Sequence, residues 1–462
     1  MLIVLKVKMT ELIHIDDIKK AYFIGIGGIG MSALARFLHA RGVVVYGYDR
    51  VSTVLTQTLE LEGIIVHYND DPTVMDADYD VVVYTPAIPK ENKILLHCIS
   101  NRLNVIKRSD LLQLVSRDTF NICISGTHGK TTVSTMVAHV LRHTGYGCNA
   151  FLGGISSNYG TNFWSNPRPV CVIEADEYDR SFLKLIPDII GITSMDPDHL
   201  DIYGTARQME DGFISFTQNL KSNGLLITKK GLLRESDFNA SQQSTYHLSN
   251  TAADIYATNL VIENGSYRFN AIGKGWAINN VRLNMGGMYN VENSLLAIAI
   301  AKHLGIDDEK IINAVDDFKG VKRRFEYIVR SEACLYIDDY AHHPEELRAL
   351  ITGVRNLHPD RKIIIIFQPH LYSRTRDFAD GFAASLDLAD QVYLLPIYPA
   401  RELPIPGVES SIISSKMKKT AILLDSVQVL EKVRNEKPAL IISAGAGDID
   451  KLIEPIKKIL TA

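Results

Sequence analysis

The chain has 462 residues, 46% of them apolar and 22% charged, with a formal net charge of −4. This composition excludes a disordered or fibrous chain, and the small acidic excess excludes a whole-surface grip on nucleic acid or anionic lipid. At roughly 150 residues per domain the length predicts about three domains, each with a core of its own.

Cysteines 98, 123, 148, 171 and 334 form no CxxC pair, which suits a reducing cytoplasm. No apolar run approaches a membrane span and the chain has no basic excess, so neither a membrane nor a nucleic acid is expected as partner.

Over residues 21–83, short apolar runs (AYFIGIGGIG, VVVYGYD, DYDVVVYT) alternate with the amphipathic stretch MSALARFLHARG. That alternation predicts βαβ units and a parallel sheet. The first run enters a turn with Gly25, Gly27, Gly28 and Gly30, a helix is expected from near Met31, and these glycines with Met31 and Ser32 are the candidate substrate-binding residues. Glycine allows the tight bend, and the N–H groups at the helix start favour a diphosphate. Asp49 ends the next strand, where such folds often place a ribose-binding carboxylate. Glycine turns also serve packing alone, and this one does not name its nucleotide.

A second series opens at residue 120 with FNICIS and the turn Gly126, Thr127, His128, Gly129, Lys130, Thr131, Thr132. Strand, glycine-rich turn and helix in this order predict a P-loop, shortened because Ile124 stands where the longer pattern has its first glycine. Its backbone would cradle ATP phosphates, Lys130 would neutralise them, and the Thr131 hydroxyl would ligate Mg²⁺. The stretch VIEADEYD places four carboxylates within six residues, and Glu174 is the first in position for the metal. His199, among the acids of DPDHLD, is the candidate second-metal ligand. Short alternating strands over residues 237–283 and the helix-like VENSLLAIAIAKHLG complete this series.

A third series contains CLYIDDYAHHPEELRALITGVR, RKIIIIFQPH, DQVYLLPIY and ALIISAGAGDIDKLI. His343 and His370 suit packing as well as chemistry, whereas Arg374 suits an anion. Arg323 and Arg324 either reach ATP phosphates or coat a surface. The expected architecture is three consecutive α/β domains: Rossmann-like over 1–117, P-loop ATPase-type over 118–321 and Rossmann-like over 322–462.

Taken in order, GxGGxGMSALA, GTHGKTT, EADE, DPDHLD, GMYNVENSLLA, KRRFE, DDYAHHP and FQPHLYSRT resemble the Mur ligases across residues 21–447. The resemblance implies peptidoglycan precursor synthesis in a bacterial cytoplasm by a monomer or homodimer. UDP-N-acetylmuramate would occupy the first domain, ATP with Mg²⁺ or Mn²⁺ the second, and L-alanine the third, which closes over both. The family chemistry is attack of the lactyl carboxylate on the γ-phosphate, then attack of the amine on the acyl phosphate. By motif, Thr131 and Glu174 would hold one metal and His199 the second. Asn290 and Asn293 would face adenine, Asp339 the ribose, and Arg323 or Arg324 a phosphate. Tyr340, His342 and Arg374 would hold the amino acid, Arg374 by its carboxylate.

Three features depart from the family pattern. Tyr289 stands where many relatives have histidine, Leu371 replaces a second arginine, and residues 177–180 read EYDR where alanine-adding relatives often read ESDA. The EADEYD form also occurs in ligases attaching L-Ala-γ-D-Glu-meso-diaminopimelate to the same UDP-sugar, the nearest alternative. A nicotinamide dehydrogenase would leave the P-loop without work. A nonenzymatic ATP-driven switch would hydrolyse ATP without making an amide.

Overall fold

The computed structural model of the chain describes residues 14–76, 78–196, 200–263, 265–400 and 402–462. Its strands form three sheets. The first contains β1 (Lys20–Ile24), β2 (Val44–Tyr48), β3 (Ile65–His67), β4 (Val81–Tyr84) and β5 (Val105–Lys107). Their order is β3-β2-β1-β4-β5, with every pairing parallel. The strand order reverses between β1 and β4, and open sheets hold their ligands in the crevice at such a point. Residues 21–24 of β1 are all buried, as a strand covered on both faces requires. The helix after the glycine turn is Ile29–Ala40, so it begins at Ile29 rather than at Met31.

The second sheet contains β6 (Phe120–Ser125), β7 (Asn149–Phe151), β8 (Phe163–Trp164), β9 (Val170–Glu174), β10 (Ile189–Ile192), β11 (Leu225–Lys229), β12 (Gln242–His247), β13 (Ile255–Glu263), β14 (Ser266–Gly273) and β15 (Trp276–Leu283). Their order is β15-β14-β13-β12-β11-β10-β6-β9-β7-β8. Strand β6 lies between β9 and β10, parallel to both, with Ile124 opposite Glu174 and Ser125 opposite Ile192. This register sets the ends of all three strands side by side, where the turn after β6 meets them.

The third sheet contains β16 (Glu326–Arg330), β17 (Leu335–Asp339), β18 (Ile364–Phe367), β19 (Gln391–Leu394), β20 (Ala421–Leu423) and β21 (Leu440–Ala444). Their order is β16-β17-β21-β18-β19-β20, with β16 antiparallel to β17. Asp339 and Phe367 both pair with Ala444, so the loops leaving β17, β18 and β21 share one edge.

The chain packs as two compact units. One runs to Thr258 and takes in Ala271–Ile278 and Glu292–Ala314; the other comprises Asn259–Asn270, Asn279–Val291 and Val315–Ala462. Within the first unit, one apolar core joins residues of both sheets, including Ala21, Val81, Cys123 and Ile190. Phe37, on the helix after the glycine turn, lies 5.5 Å from Phe151 and 6.1 Å from Phe163 between ring centroids. All five cysteines are free and buried. Among the described residues no helix is long and apolar enough to cross a membrane.

Candidate active site

In the first unit, the glycine turn closes on Tyr48 at the end of β2. The Gly25 N–H donates to its carbonyl at 2.7 Å, and Gly25 has φ +86°, a conformation open to glycine at no steric cost. The Gly27 N–H donates to Asp49 Oδ2 at 2.9 Å, and a Cβ on Gly27 would fall 2.8 Å from that oxygen. Asp49 thus braces the turn. Ser32 is fully buried, its hydroxyl donating to Ile29 O at 2.9 Å.

A cleft of about 250 Å³ opens beside this turn, lined by Gly28, Gly30, Met31, Thr85 and Arg108, and by Asp176, Tyr178 and Asp179. Arg108 begins the helix Arg108–Ser116, and its guanidinium lies 2.7 Å from where a Cβ on Gly30 would stand. A cation beside N–H groups at a helix start makes an anion site. Arg108 also lies 3.8 Å from Asp176, and Lys107 lies 3.0 Å from Asp179. The sequence reading passed over this pair; its signal was the adjacent Lys107 and Arg108 where β5 ends.

The second glycine turn is bonded to the residues that follow β10. Thr127 Oγ1 lies 2.9 Å from Ser194 Oγ, which accepts from the His128 N–H at 2.8 Å. Thr127 Oγ1 also accepts from the Asp196 N–H at 3.1 Å, and the Thr193 hydroxyl donates to His128 O. A Cβ on Gly126, which has φ +130°, would lie 2.2 Å from Thr193 Oγ1. Thr193 and Ser194 carried no motif, so the sequence reading missed them.

The helix Lys130–His143 starts directly from Gly129. Lys130 Nζ donates to Glu177 Oε1 at 2.8 Å, and Glu177 is fully buried. Burial alone would lower the Lys130 ammonium, but the carboxylates of Glu177, Asp176 and Glu174 outweigh it and leave it raised. The Thr131 hydroxyl donates to Glu174 Oε1 at 2.9 Å, and the Gly153 N–H to Glu174 Oε2 at 2.9 Å. Burial pushes the Glu174 carboxyl up, with Lys130 opposing the shift and Asp176 adding to it. Thr132 is buried at the helix start, and the Asn293 amide oxygen lies 3.0 Å from where a Cβ on Gly129 would stand. His199 lies outside the described residues.

In the second unit, the loops leaving β17 and β18 gather a cationic and aromatic cluster. Tyr340 carries Arg323 and Arg324 over its ring at 5.2 and 5.3 Å, and its ring is 5.3 Å from that of His342. The His370 ring is 6.1 Å from His342 and stacks on Tyr398 at 5.8 Å. Burial pushes the His370 imidazole down to about 4, with His342 and Arg374 adding to the shift. Burial lowers the His342 imidazole too, against the raising pull of Glu346. Arg374 Nη1 and His370 Nδ1 are buried without a hydrogen-bond partner among the described residues.

Other candidates in this unit hold backbone. Asp339 accepts from the Phe325 and Ala341 N–H groups, both at 2.7 Å. Arg323 donates to Asp338 Oδ2 at 3.1 Å and to Gly445 O at 2.6 Å. Asn290 is buried with its amide on Gly286 O at 2.6 Å. His343 caps the helix Pro344–Leu357, and its ring packs 4.8 Å from Phe378. Leu371, the departure from the family arginine, has φ +67°, and its N–H donates to Tyr398 O at 2.9 Å.

Three family models match the chain: the Mur ligase family catalytic domain at residues 20–119, the Mur ligase middle domain at 124–301, and the Mur ligase glutamate ligase domain at 323–449. The UDP-N-acetylmuramate–L-alanine ligase of Christiangramia forsetii is 43% identical, covering 96% of this chain and 98% of its own. That of Porphyromonas gingivalis is 44% identical, over 96% and 99%. The crystal structure of the UDP-N-acetylmuramate-alanine ligase of Thermotoga maritima superposes with a TM-score of 0.82 at 28% identity, covering 96% of this chain and 98% of that one.

Proposed function

Because the chain belongs to the Mur ligase family, we propose that it joins L-alanine to the lactyl carboxylate of UDP-N-acetylmuramate, converting ATP to ADP and phosphate. The observation that carries this reading is the P-loop constellation: Lys130 and Thr131 at a helix start, facing Glu174 at the end of β9 and Glu177 three residues beyond it. The choice of alanine is supported by the names of relatives 41–44% identical over nearly the whole chain.

The attacking carboxylate and the triphosphate are both anionic, so they meet only where cations are preorganised. Lys130 supplies one cation, aligned by its helix, and the turn's N–H groups cradle the phosphates. Thr131 and Glu174 form a hard-oxygen pair that fits Mg²⁺, the remaining ligands being phosphate and water. Bound there, the ion would neutralise phosphate charge. The lactyl carboxylate takes the γ-phosphoryl group and ADP leaves. The alanine amine then attacks the acyl carbon and phosphate departs. Gly28, Gly30 and Arg108 would hold the UDP diphosphate, and Arg374 the alanine carboxylate, a planar match that favours arginine. The low pKa of His370 keeps that site from filling with further positive charge.

The test is phosphate release with ATP, Mg²⁺ and UDP-N-acetylmuramate, comparing L-alanine with L-Ala-γ-D-Glu-meso-diaminopimelate and weighing the product. Release with alanine and a gain of one alanyl residue is expected. Release only with the tripeptide would reassign the nucleophile, in line with the EADEYD segment. Release indifferent to both amines would overturn the ligase reading.

A further inference from the structure

The helix Ile29–Ala40, whose first turn lines the cleft, is held from the side by a residue of the second sheet. Asn162 precedes β8 and is fully buried. Its Nδ2 donates to Ile29 O at 2.5 Å and to Ser32 Oγ at 3.0 Å. Its Oδ1 accepts from Arg36 Nη1 one turn further along the helix. Arg36 is only 7% exposed and uses Nε and Nη2 for a bidentate pair with Glu62, at 2.6 and 2.8 Å. Phe37, packed against both Phe151 and Phe163, supplies the apolar half of the same contact.

A buried guanidinium is a poor way to gain stability, because desolvation opposes its ion pair, and a well-packed apolar contact would serve as well. What a directional polar clamp contributes is a fixed rotation and height of the helix. Those coordinates matter at its N-terminus, where the turn's N–H groups must sit within a few tenths of an ångström of phosphate oxygens. We propose that Asn162 and Arg36 are positioning residues for the sugar nucleotide, registering the diphosphate-binding helix start against the second sheet, which carries the P-loop. The proposal rests on the reading of the cleft as the UDP-sugar site.

The test uses the full chain, with steady-state KM values for each substrate and calorimetric binding of UDP as the simplest probe. Asn162→Ala is expected to raise KM for UDP-N-acetylmuramate and Kd for UDP about tenfold, the worth of one buried hydrogen-bond set. KM for ATP and for alanine should stay within about twofold, as should kcat, because neither residue touches those groups. Arg36→Met should add little on top of Asn162→Ala, since both break one clamp. If Asn162→Ala fails to fold, Ser32→Ala removes the hydroxyl that accepts from Asn162 and donates to Ile29 O, and a smaller change of the same kind is expected. A lower melting temperature with unchanged UDP affinity, or a uniform rise in all three KM values, would overturn the proposal alone. Failure of the wild-type chain to bind UDP would overturn the ligase reading with it.

Discussion

Lys130 of the P-loop lies 2.8 Å from Glu177, a carboxylate buried completely at the end of the EADE segment. The ammonium therefore has a protein counterion already in place beside the phosphate-binding turn. Lys130→Ala should cut phosphate release by roughly 10²–10³-fold or more while leaving UDP-sugar affinity nearly unchanged, since the glycine turn after β1 is separate from the P-loop. It should also destabilise the fold by about 3 kcal/mol, because a buried carboxylate loses its cation. Adding Glu177→Gln should restore the melting temperature and not the activity. Equal loss of UDP-sugar affinity would break the assignment of the two sites.

Gly153 is the second handle on chemistry. A Cβ there would stand 2.3 Å from both Glu174 carboxylate oxygens, and the Gly153 N–H is one of their donors. Gly153→Ala should displace Glu174 from Thr131 and lower kcat by about 10²-fold, the scale of a misplaced catalytic group. A calorimetric titration with Mg²⁺ and ADP should show weakened metal-dependent binding. Wild-type kcat would mean that Glu174 does not need its present position.

Arg374 presents a buried Nη1 with no partner among the described residues. Arg374→Lys keeps the charge and loses the fork, so KM for alanine should rise about tenfold, and Arg374→Ala should raise it about a hundredfold or more. KM for ATP should stay within about twofold in both. An alanine KM that ignores the substitution would send the search for the carboxylate ligand elsewhere in the cluster.

Asp339 gives a prediction in pH. Burial pushes its carboxyl up from 3.8 to about 6, against the opposing pull of Arg324 and the Phe325 and Ala341 N–H groups. The native state then binds this proton more tightly than the unfolded chain. Its contribution is full below about pH 4 and is lost as pH rises through about 6, a change on the order of 3 kcal/mol. Asp339→Asn removes that titration and one of the two acceptors, costing about 1–3 kcal/mol at low pH. In denaturant titrations, the stability gap between wild type and variant should therefore narrow from pH 4 to pH 6. A gap that widens would reverse the assigned direction.

Much of this protein is local and therefore legible in the order of its residues. A β-branched run, a glycine turn and an amphipathic helix are each dictated by neighbouring residues, so the three α/β series and both phosphate-type turns could be read without coordinates. The helix start at Ile29 rather than Met31 shows the usual limit, since a helix end depends on hydrogen bonds that periodicity does not report. What tertiary structure decided is everything that crosses the sheets. Asp49, a candidate ribose ligand along the chain, also braces Gly27, a contact that follows from β2 lying next to β1. Arg108 reaches Gly30, Thr193 and Ser194 hold the P-loop, and Asn162 clamps Arg36, at separations of tens of residues or more. Strand order and register bring those pairs together, and both arise from burying apolar area over the whole chain, which no local motif encodes.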